Sequence, residues 1–368
     1  MNIIETLEKY EPQSLQHELP IVWDFAYGYH VWDTEGKRYI DFTSGIFVAN
    51  IGHSHPKVLQ AILGQINEPL IHSYVFPNEP RAKLVKKLAE ISGMEKVYLC
   101  STGSEAVEAA LRCIWSYKPG GLLAVKGCNH GRTAGVKILA EEAQLTYKMK
   151  PNRGIKPENI AGIIFETYLG YNAQFHPVKW VREWCGWAQK NDIPVCFDEI
   201  QAGFGRTGKM FGFEHYDVKP DLICVGKGLG GGMPISAVLG RADLLDAPDD
   251  LSSTHTGNPV CCAAALATLE VLEEEGLVDR ASSLGELLGD LLPKMFPEYT
   301  IRGKGMVWGI DLEDIDLANK VVDKCAGKGL LLVKTHKGTI KIGAPLVIPE
   351  KELAEGLQIL REAVKECV

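Results

Sequence analysis

Residues 194–232 read PVCFDEIQAGFGRTGKMFGFEHYDVKPDLICVGKGLGGG and hold the clearest evidence for the fold of this chain. Two segments of this stretch, 194–199 and 221–227, are apolar runs that each end in charged residues. Runs of this kind are typical of parallel strands that helices cover on both faces. Similar runs occur at 122–126 and 161–166. Together they predict an α/β fold with a mostly parallel sheet between helices.

The sequence on either side completes this outline. Residues 21–45 alternate apolar and polar positions around a turn at Glu35-Gly36, which predicts short antiparallel strands. Helical patterns fill most of 57–116, recur at 180–191 and resume near residue 263. The last of these leads into a C-terminal region with both helical and strand patterns.

The length of 368 residues suggests roughly two domains. No internal repeat or low-complexity linker separates them, so the pattern of elements sets the division. We predict a large α/β domain over residues 46–264. A smaller α+β domain combines both termini, with residues 1–45 as its N-terminal part and 265–368 as its C-terminal part.

Composition argues against several classes of function. A formal net charge of -8 and the lack of a long Lys/Arg run disfavour a nucleic-acid partner. The N-terminus lacks the basic and apolar regions of a signal peptide, and no apolar run is long enough to predict a membrane span. The ten cysteines are scattered, so neither a disulfide framework nor a metal site is indicated. We therefore expect a cytoplasmic protein.

Four polar motifs follow the apolar strands, which is where open α/β sheets bind their ligands. The first is CSTGSEAVE at 100–108, where a strand runs through hydroxyls and a glycine into a helix. A helix N-terminus offers free N–H groups and the positive end of its dipole to an anion such as phosphate. The same residues also fit a capping box between Ser101 or Thr102 and Glu105. By itself, the motif favours the capping interpretation.

The second motif is FDEIQ at 197–201, which places Asp198 at the tip of a buried strand. A carboxylate in that place requires a partner, because burying it alone is costly. The protonated nitrogen of a pyridine ring is one such partner, and Arg or Lys is the commoner one.

The third motif, VGKGLGGG at 225–232, places Lys227 in a glycine-rich loop where a ligand can come close. A desolvated lysine there can titrate near neutral pH, although glycine-rich loops are also common turns. The P-loop and dinucleotide-binding patterns are absent, which disfavours a nucleotide-binding or regulatory protein. The fourth motif, STHTGNP at 253–259, offers hydroxyls to a phosphate or an N-terminal cap to a helix.

The order of these motifs is more informative than any one of them. In sequence they supply a phosphate cradle, a partner for a pyridine nitrogen and an amine that can bind an aldehyde. These are the groups that pyridoxal 5'-phosphate requires from a protein, because the cofactor itself carries the chemistry.

With these motifs in place, the chain resembles the class III aminotransferases, the ω-aminotransferase group of fold-type I enzymes that depend on pyridoxal 5'-phosphate. The resemblance covers nearly the whole chain. It rests on YHVWDTEGKRYIDFTSGI (29–46), GHSHP (52–56), STGSEAVEAALR (101–112), NHGRT (129–133), the stretch 197–241 and STHTGNP (253–259). It implies a seven-stranded, mostly parallel sheet in the large domain and a small α+β domain from both termini.

The resemblance also implies roles for individual residues. Lys227 would be the Schiff-base lysine and the general base and acid of the proton shift. Asp198 would pair with the pyridine nitrogen of the cofactor, and Gln201 would hydrogen-bond its phenolic oxygen.

The phosphate would be held by the Thr102 hydroxyl and by the backbone amides of Gly103 and Ser104. Thr254 would reach the cofactor phosphate of the neighbouring subunit, which implies a homodimer with shared active sites, alone or paired into a tetramer. The partners implied are a small amine donor and a 2-oxo acid acceptor, in a ping-pong reaction.

Three departures from the family pattern bear on the substrate. Asn129 stands where the family usually has the aromatic residue that stacks on the cofactor, so either its amide or His130 would take over that contact. Tyr171 stands where a glutamate usually pairs with a substrate-binding arginine. Lys341 replaces that arginine, and a lysine cannot grip a carboxylate with two parallel hydrogen bonds. Arg132 is retained as a candidate for a substrate carboxylate.

We therefore expect an aminotransferase that takes nitrogen from an ω-amine, an amino sugar, an aminocyclitol or a non-standard amino acid. The alternative is a more ordinary ornithine-type or 4-aminobutyrate-type aminotransferase, in which Lys341 performs the task of the arginine less tightly. An aminomutase, epimerase or decarboxylase of the same family would use the same cofactor residues.

Overall fold

The computed structural model describes residues 2–14, 19–142, 144–151 and 154–368. The strands in chain order are β1 (Trp23–Tyr27), β2 (His30–Asp33), β3 (Arg38–Asp41), β4 (Lys96–Cys100), β5 (Gly121–Val125), β6 (Gln144–Leu145), β7 (Ile160–Glu166), β8 (Tyr168–Leu169), β9 (Gln174–Phe175), β10 (Val195–Asp198), β11 (Leu222–Val225), β12 (Ser236–Gly240), β13 (Thr300–Lys304), β14 (Val307–Asp311), β15 (Leu330–Leu331), β16 (Val333–Lys334) and β17 (Thr339–Ile342). The helices are α1 (Ile3–Tyr10), α2 (Ser44–Phe47), α3 (Pro56–Asn67), α4 (Glu79–Ser92), α5 (Gly103–Tyr117), α6 (Ala134–Glu142), α7 (Val178–Lys190), α8 (Ala242–Leu245), α9 (Pro259–Glu274), α10 (Leu277–Met295), α11 (Ile315–Gly327) and α12 (Glu350–Cys367).

The centre of the molecule is a seven-stranded sheet in the order β4-β12-β11-β10-β7-β5-β6. All strands are parallel except β12, which runs antiparallel to both of its neighbours. Every residue of β7, β10, β11 and β12 is buried, as expected of strands that helices cover on both faces. The prediction of an α/β fold with a mostly parallel seven-stranded sheet is confirmed.

Two smaller sheets join distant parts of the chain. Strands β1, β2 and β3 form an antiparallel meander, and β15 adds to it in parallel through Leu330 opposite Ile40. A second sheet has the order β13-β14-β17-β16. The N-terminal strands therefore pair with a strand of the C-terminal segment, as a small domain built from both termini requires. The domain boundaries at 46 and 265 stay a prediction.

The turn α2 is left-handed, because Ser44, Gly45, Ile46 and Phe47 all have φ between 48° and 67°. Left-handed backbone costs roughly 1–2 kcal/mol per non-glycine residue, so other contacts must hold it in place. The fully buried Arg206 supplies such a contact, since its Nη2 donates to Ser44 Oγ at 3.2 Å. The turn places the ring of Phe47 inside the molecule, beside the site described below.

Among the described residues, no helix is both long and apolar enough to cross a membrane.

Candidate active site

A cavity of about 1100 Å³ opens at the carboxyl ends of β7, β10 and β11. It collects most of the side chains that the sequence singles out, although they lie up to 238 residues apart in the chain. The predicted site residues that line it are Gly103, Ser104, Asn129, His130, Arg132, Tyr171, Asp198, Gln201, Lys227 and Lys341. Thr102 and Thr254 are not among its lining residues.

Lys227 follows β11 and begins a short 3-10 turn. Its φ of 42° is unusual for a residue with a side chain, and such strained backbone often occurs at functional sites. Burial lowers the pKa of its amine, while the nearby carboxyls of Asp198 and Glu166 oppose that shift. The result is an enclosed amine that loses its proton more readily than an exposed lysine, as a nucleophile requires.

Asp198 ends β10, where its two carboxylate oxygens have separate partners. Oδ2 accepts from Nδ1 of His130 at 2.8 Å, and Oδ1 accepts from the backbone N–H of Ile200 at 3.0 Å. Burial works to lower the pKa of His130, but Cys128 and Asp198 outweigh it and raise that pKa well above its usual value. The hydrogen bonds from His130 and Ile200 thus fix the Asp198 carboxylate at the cavity wall.

The neighbouring Glu199 has a structural task instead. It accepts hydrogen bonds from the backbone N–H groups of Gly212 and Phe213, both at 2.7 Å, and from the hydroxyl of Thr167. These bonds tie the chain after β10 to the 3-10 turn at Gly212–Tyr216. Of the two adjacent acids in the DEIQ motif, Asp198 therefore lines the cavity and Glu199 stabilises the fold.

The N-terminus of α5 borders the cavity through Gly103 and Ser104. Thr102 is the N-cap, and its hydroxyl accepts from the backbone N–H of Glu105 in a capping box. The capping box and a phosphate site are therefore compatible, because a capped helix still presents its first N–H groups to an anion. Gly131 packs so closely on Ser104 that a Cβ there would lie 2.4 Å from its Oγ.

Asn129 does not lie free in the cavity. Its Oδ1 accepts from the backbone N–H of Gly131 at 3.2 Å, and the backbone N–H of Asn129 donates to Glu166 Oε2 at 3.0 Å. Burial raises the pKa of Glu166 to about 7. The carboxamide of Asn129 thus shapes its own loop, and the adjacent ring at this wall is that of His130.

Lys341 lies on β17 and is only 2 % exposed. Its Nζ donates to the carbonyl oxygen of Gly170 at 2.5 Å and to Oε1 of Gln201 at 2.6 Å. Burial lowers the pKa of this amine to about 7. Tyr171, which follows Gly170, lies beneath the amine of Lys337 at 4.0 Å from its ring centroid.

Sequence reasoning missed several residues of this site. Phe47 and Tyr168 line the cavity, and so do β16 and the first residues of the turn that follows it, 333–337 together. Phe47 and Tyr168 lie outside every motif. The basic residues Lys334, His336 and Lys337 gave a weak signal, because they directly precede Lys341 in the chain.

The charges around the cavity are unbalanced. Five lysine or arginine side chains line it against two carboxylates. The basic side chains are Arg132, Lys227, Lys334, Lys337 and Lys341, and the carboxylates are Glu166 and Asp198. Burial lowers the pKa of Lys227 and Lys341, so the positive charge lies mainly with the other three. Because Asp198 is already paired with His130, the cavity favours an anionic ligand.

This donor set fits pyridoxal 5'-phosphate. The cofactor requires an amine for its aldehyde, a carboxylate for its ring nitrogen and N–H donors for its phosphate. Lys227, Asp198 and the N-terminus of α5 provide these groups around one cavity. Gln201 borders the same space with a carboxamide for the phenolic oxygen.

Thr254 lies on another part of the surface, in the loop before α9. In this loop the ring of His255 is 5.4 Å from that of His72, and Asn258 Nδ2 donates to Ile71 O at 2.8 Å. The loop therefore packs on the segment around residue 71, which carries many exposed apolar side chains. Within one chain Thr254 does not line the cavity. That it reaches the cofactor phosphate of the neighbouring subunit stays a prediction.

Comparison with known proteins agrees with this geometry. The sequence model of the family described as Aminotransferase class-III matches residues 12–154 and 136–364. Acetylornithine aminotransferase of Caldanaerobacter subterraneus is 34% identical, with 98% of this chain and 99% of that protein covered. Ornithine aminotransferase of Oceanobacillus iheyensis is also 34% identical, with 99% and 98% covered. A crystal structure of Toxoplasma gondii ornithine aminotransferase with partial occupancy of PLP superposes with a TM-score of 0.87 at 29% identity, covering 98% of this chain and 93% of that one.

Proposed function

The chain belongs to the class-III aminotransferases, and we propose that it transfers the side-chain amino group of an ornithine-type amino acid to a 2-oxo acid. The enzyme is an aminotransferase that uses pyridoxal 5'-phosphate. The observation that carries the assignment of the site is the meeting of Lys227, Asp198 and the N-terminus of α5 around one cavity.

The proposal on the substrate rests on two observations. Relatives at 32–34% identity over nearly the whole chain act, by their names, on ornithine or acetylornithine. The excess of cations around the cavity also favours a donor that carries a carboxylate. Both favour the ornithine-type alternative over an amino sugar, an aminocyclitol or an amine without a carboxylate.

We assign the substrate carboxylate to the outer part of the cavity. Arg132 and Lys337 are exposed there, and Lys334 is half-buried. An arginine can grip a carboxylate with two parallel hydrogen bonds, so Arg132 is the main candidate. The side-chain amine of the donor would then extend inward to the buried Lys227.

Each inner residue then has one task. Pyridoxal 5'-phosphate supplies the electron sink that stabilises negative charge on the substrate carbon. Asp198, held by His130, would pair with the protonated ring nitrogen. Lys227 would hold the cofactor through its Nζ, and this amine would then accept the proton that leaves the substrate carbon. The amides of Gly103 and Ser104 would hold the phosphate at the start of α5.

A donor screen tests this function. Purified holoenzyme is mixed with 2-oxoglutarate or pyruvate and with ornithine, N-acetylornithine, 4-aminobutyrate or 1,4-diaminobutane, and amino-acid products are measured. We expect transfer from the ornithine-type donors, and Arg132→Met should raise KM for ornithine at least tenfold. Equal rates with 1,4-diaminobutane, which is ornithine without its carboxylate, would overturn the substrate assignment. Conversion of one substrate without nitrogen transfer would indicate an aminomutase, epimerase or decarboxylase instead.

We also propose that the enzyme acts as a homodimer. The helix α3 and the segment that follows it carry a row of exposed apolar side chains: Leu59, Leu63, Ile66, Leu70, Ile71, Tyr74, Val75 and Phe76. Apolar patches of this extent mark protein interfaces, and the patch adjoins the loop of Thr254. A second copy covering the patch would bring Thr254 towards the cavity of its partner.

Sedimentation measurements test the dimer with a matched pair of variants. Leu63→Glu places a charge in the patch, where the leucine side chain is 60 % exposed. Leu287→Glu places the same charge on α10, where the leucine is 44 % exposed and outside the patch. We expect a dimeric wild type, a dimeric Leu287→Glu variant and a monomeric Leu63→Glu variant that loses cofactor. A monomeric wild type, or a Leu63→Glu dimer, would refute the interface.

A further inference from the structure

The resemblance to the family implies that Lys341 stands in place of a substrate-binding arginine, yet its contacts are internal. Two of the three donors of its ammonium group are used by Gly170 O at 2.5 Å and Gln201 Oε1 at 2.6 Å. Its Nζ also lies 4.4 Å from the ring centroid of Phe47 and 5.7 Å from that of Tyr168. These contacts commit the amine to protein groups and leave at most one N–H for a substrate carboxylate.

These contacts determine the orientation of the Gln201 carboxamide. Its Oε1 accepts from Lys341 Nζ and, at 3.0 Å, from the hydroxyl of Tyr168. A carbonyl oxygen has two lone pairs, so both are occupied. A flipped carboxamide would lose the hydrogen bond that Lys341 Nζ now donates and, whenever that amine is protonated, would place two donors against each other. The Nε2 group of Gln201 is therefore the half of the carboxamide that remains to donate into the cavity.

We propose that Lys341 is a positioning residue, which locks Gln201 with its Nε2–H donors towards the phenolic oxygen of the cofactor and does not receive the substrate carboxylate. This inference rests on the proposed function, because it presumes that pyridoxal 5'-phosphate binds in this cavity.

A double-mutant cycle on the holoenzyme tests the coupling, with the pH dependence of the cofactor absorption spectrum as its readout. A donor at the phenolic oxygen favours its ionised form. Lys341→Met should therefore raise the midpoint of the spectral transition by about one pH unit, the size of a single hydrogen bond. In a Gln201→Leu background the same substitution should have little further effect. An equal shift in both backgrounds would show that Lys341 acts by its charge and not through Gln201, and would overturn the proposal.

A comparison of two donors separates positioning from substrate binding. We expect Lys341→Met to lower kcat about tenfold for both ornithine and 1,4-diaminobutane and to leave the ratio of their KM values within about twofold of wild type. A selective rise of at least tenfold in KM for ornithine, with an unchanged spectrum, would make Lys341 a carboxylate receptor. Lys351→Met, an exposed substitution on α12, is the control.

The outcomes distinguish this inference from the proposed function. If the wild type does not use ornithine but Lys341→Met still shifts the spectrum through Gln201, the substrate assignment fails and the positioning role stands. If ornithine is used and the spectrum does not move, the positioning role fails alone. Should Lys341→Met not fold, Lys341→Gln keeps one donor in place. A smaller shift of the same sign is then expected, and a shift of zero overturns the inference.

Discussion

Replacing Lys341 by methionine should change the stability of the cofactor-free protein in opposite directions at low and high pH. Burial lowers the pKa of this amine from 10.5 in the unfolded chain to about 7 in the folded protein. The folded protein therefore binds fewer protons than the unfolded chain between these two values, and its stability rises with pH across that range. Below pH 7, the wild type bears the full cost of the buried charge.

The size of the effect follows from the pKa and from two hydrogen bonds. A shift from 10.5 to about 7 corresponds to a destabilisation of about 5 kcal/mol below pH 7, at 1.36 kcal/mol per unit. The bonds to Gly170 and Gln201 contribute about 1 kcal/mol each in the opposite direction. Lys341→Met removes both terms, so the variant should be about 3 kcal/mol more stable at pH 6 and about 1 kcal/mol less stable at pH 10.

Thermal unfolding of the cofactor-free protein at the two pH values measures this reversal. The variant should unfold at a higher temperature than the wild type at pH 6 and at a lower temperature at pH 10. Lys351→Met removes an exposed lysine of α12 and should give the same small difference at both pH values. If the difference for Lys341→Met keeps one sign throughout, the buried amine does not titrate as its surroundings require, and the reasoning is refuted.

Three further predictions concern other residues. Lys227→Ala removes the amine that we assign to the cofactor, so the rate of nitrogen transfer should fall by several orders of magnitude. Mass spectrometry after borohydride reduction should find no cofactor attached to the chain. Attachment at another lysine would contradict this prediction. Asp198→Ala leaves the buried His130 imidazolium without its carboxylate partner. The free energy of unfolding, measured by urea denaturation, should fall by about 3–5 kcal/mol. A loss below about 1 kcal/mol would contradict a buried ion pair between His130 and Asp198. Gly343→Ala places a Cβ 2.0 Å from Cε1 of Phe47 and should cost about 1–3 kcal/mol in the same assay. Gly327→Ala should cost nothing, because its Cβ would meet no atom within 4 Å beyond its own helix and chain neighbours. Equal effects of the two substitutions would refute the packing argument.

The sequence predicted the central sheet closely because buried parallel strands have a distinctive pattern. The run at 194–199 contains β10, and the run at 161–166 lies within β7. The carboxyl ends of parallel strands meet at one edge, so motifs that follow different strands must meet there too. This geometric rule explains why Asp198 and Lys227 could be assigned to one site from the sequence alone.

Two features could not be predicted, for different physical reasons. The strand β12 is as fully buried as the parallel strands β10 and β11, and nothing in its five residues encodes the reversed direction. The role of Lys341 depends on Phe47 and Gln201, which lie far away in the chain and in no motif with it. A substitution pattern can show that an arginine is missing, but only the packing shows what the lysine touches.

The parallel pairing of β3 with β15 has a consequence for folding during synthesis on the ribosome. Ile40 lies opposite Leu330, so the N-terminal meander cannot gain its fourth strand until almost the whole chain has been made. At roughly 5–20 residues per second, synthesis of the intervening 290 residues takes roughly 15–60 s. During that interval the free edge of β3 is open to pairing with other nascent chains. Slow translation or a shortage of chaperones should therefore reduce the yield of this enzyme more than the stability of its finished fold would indicate.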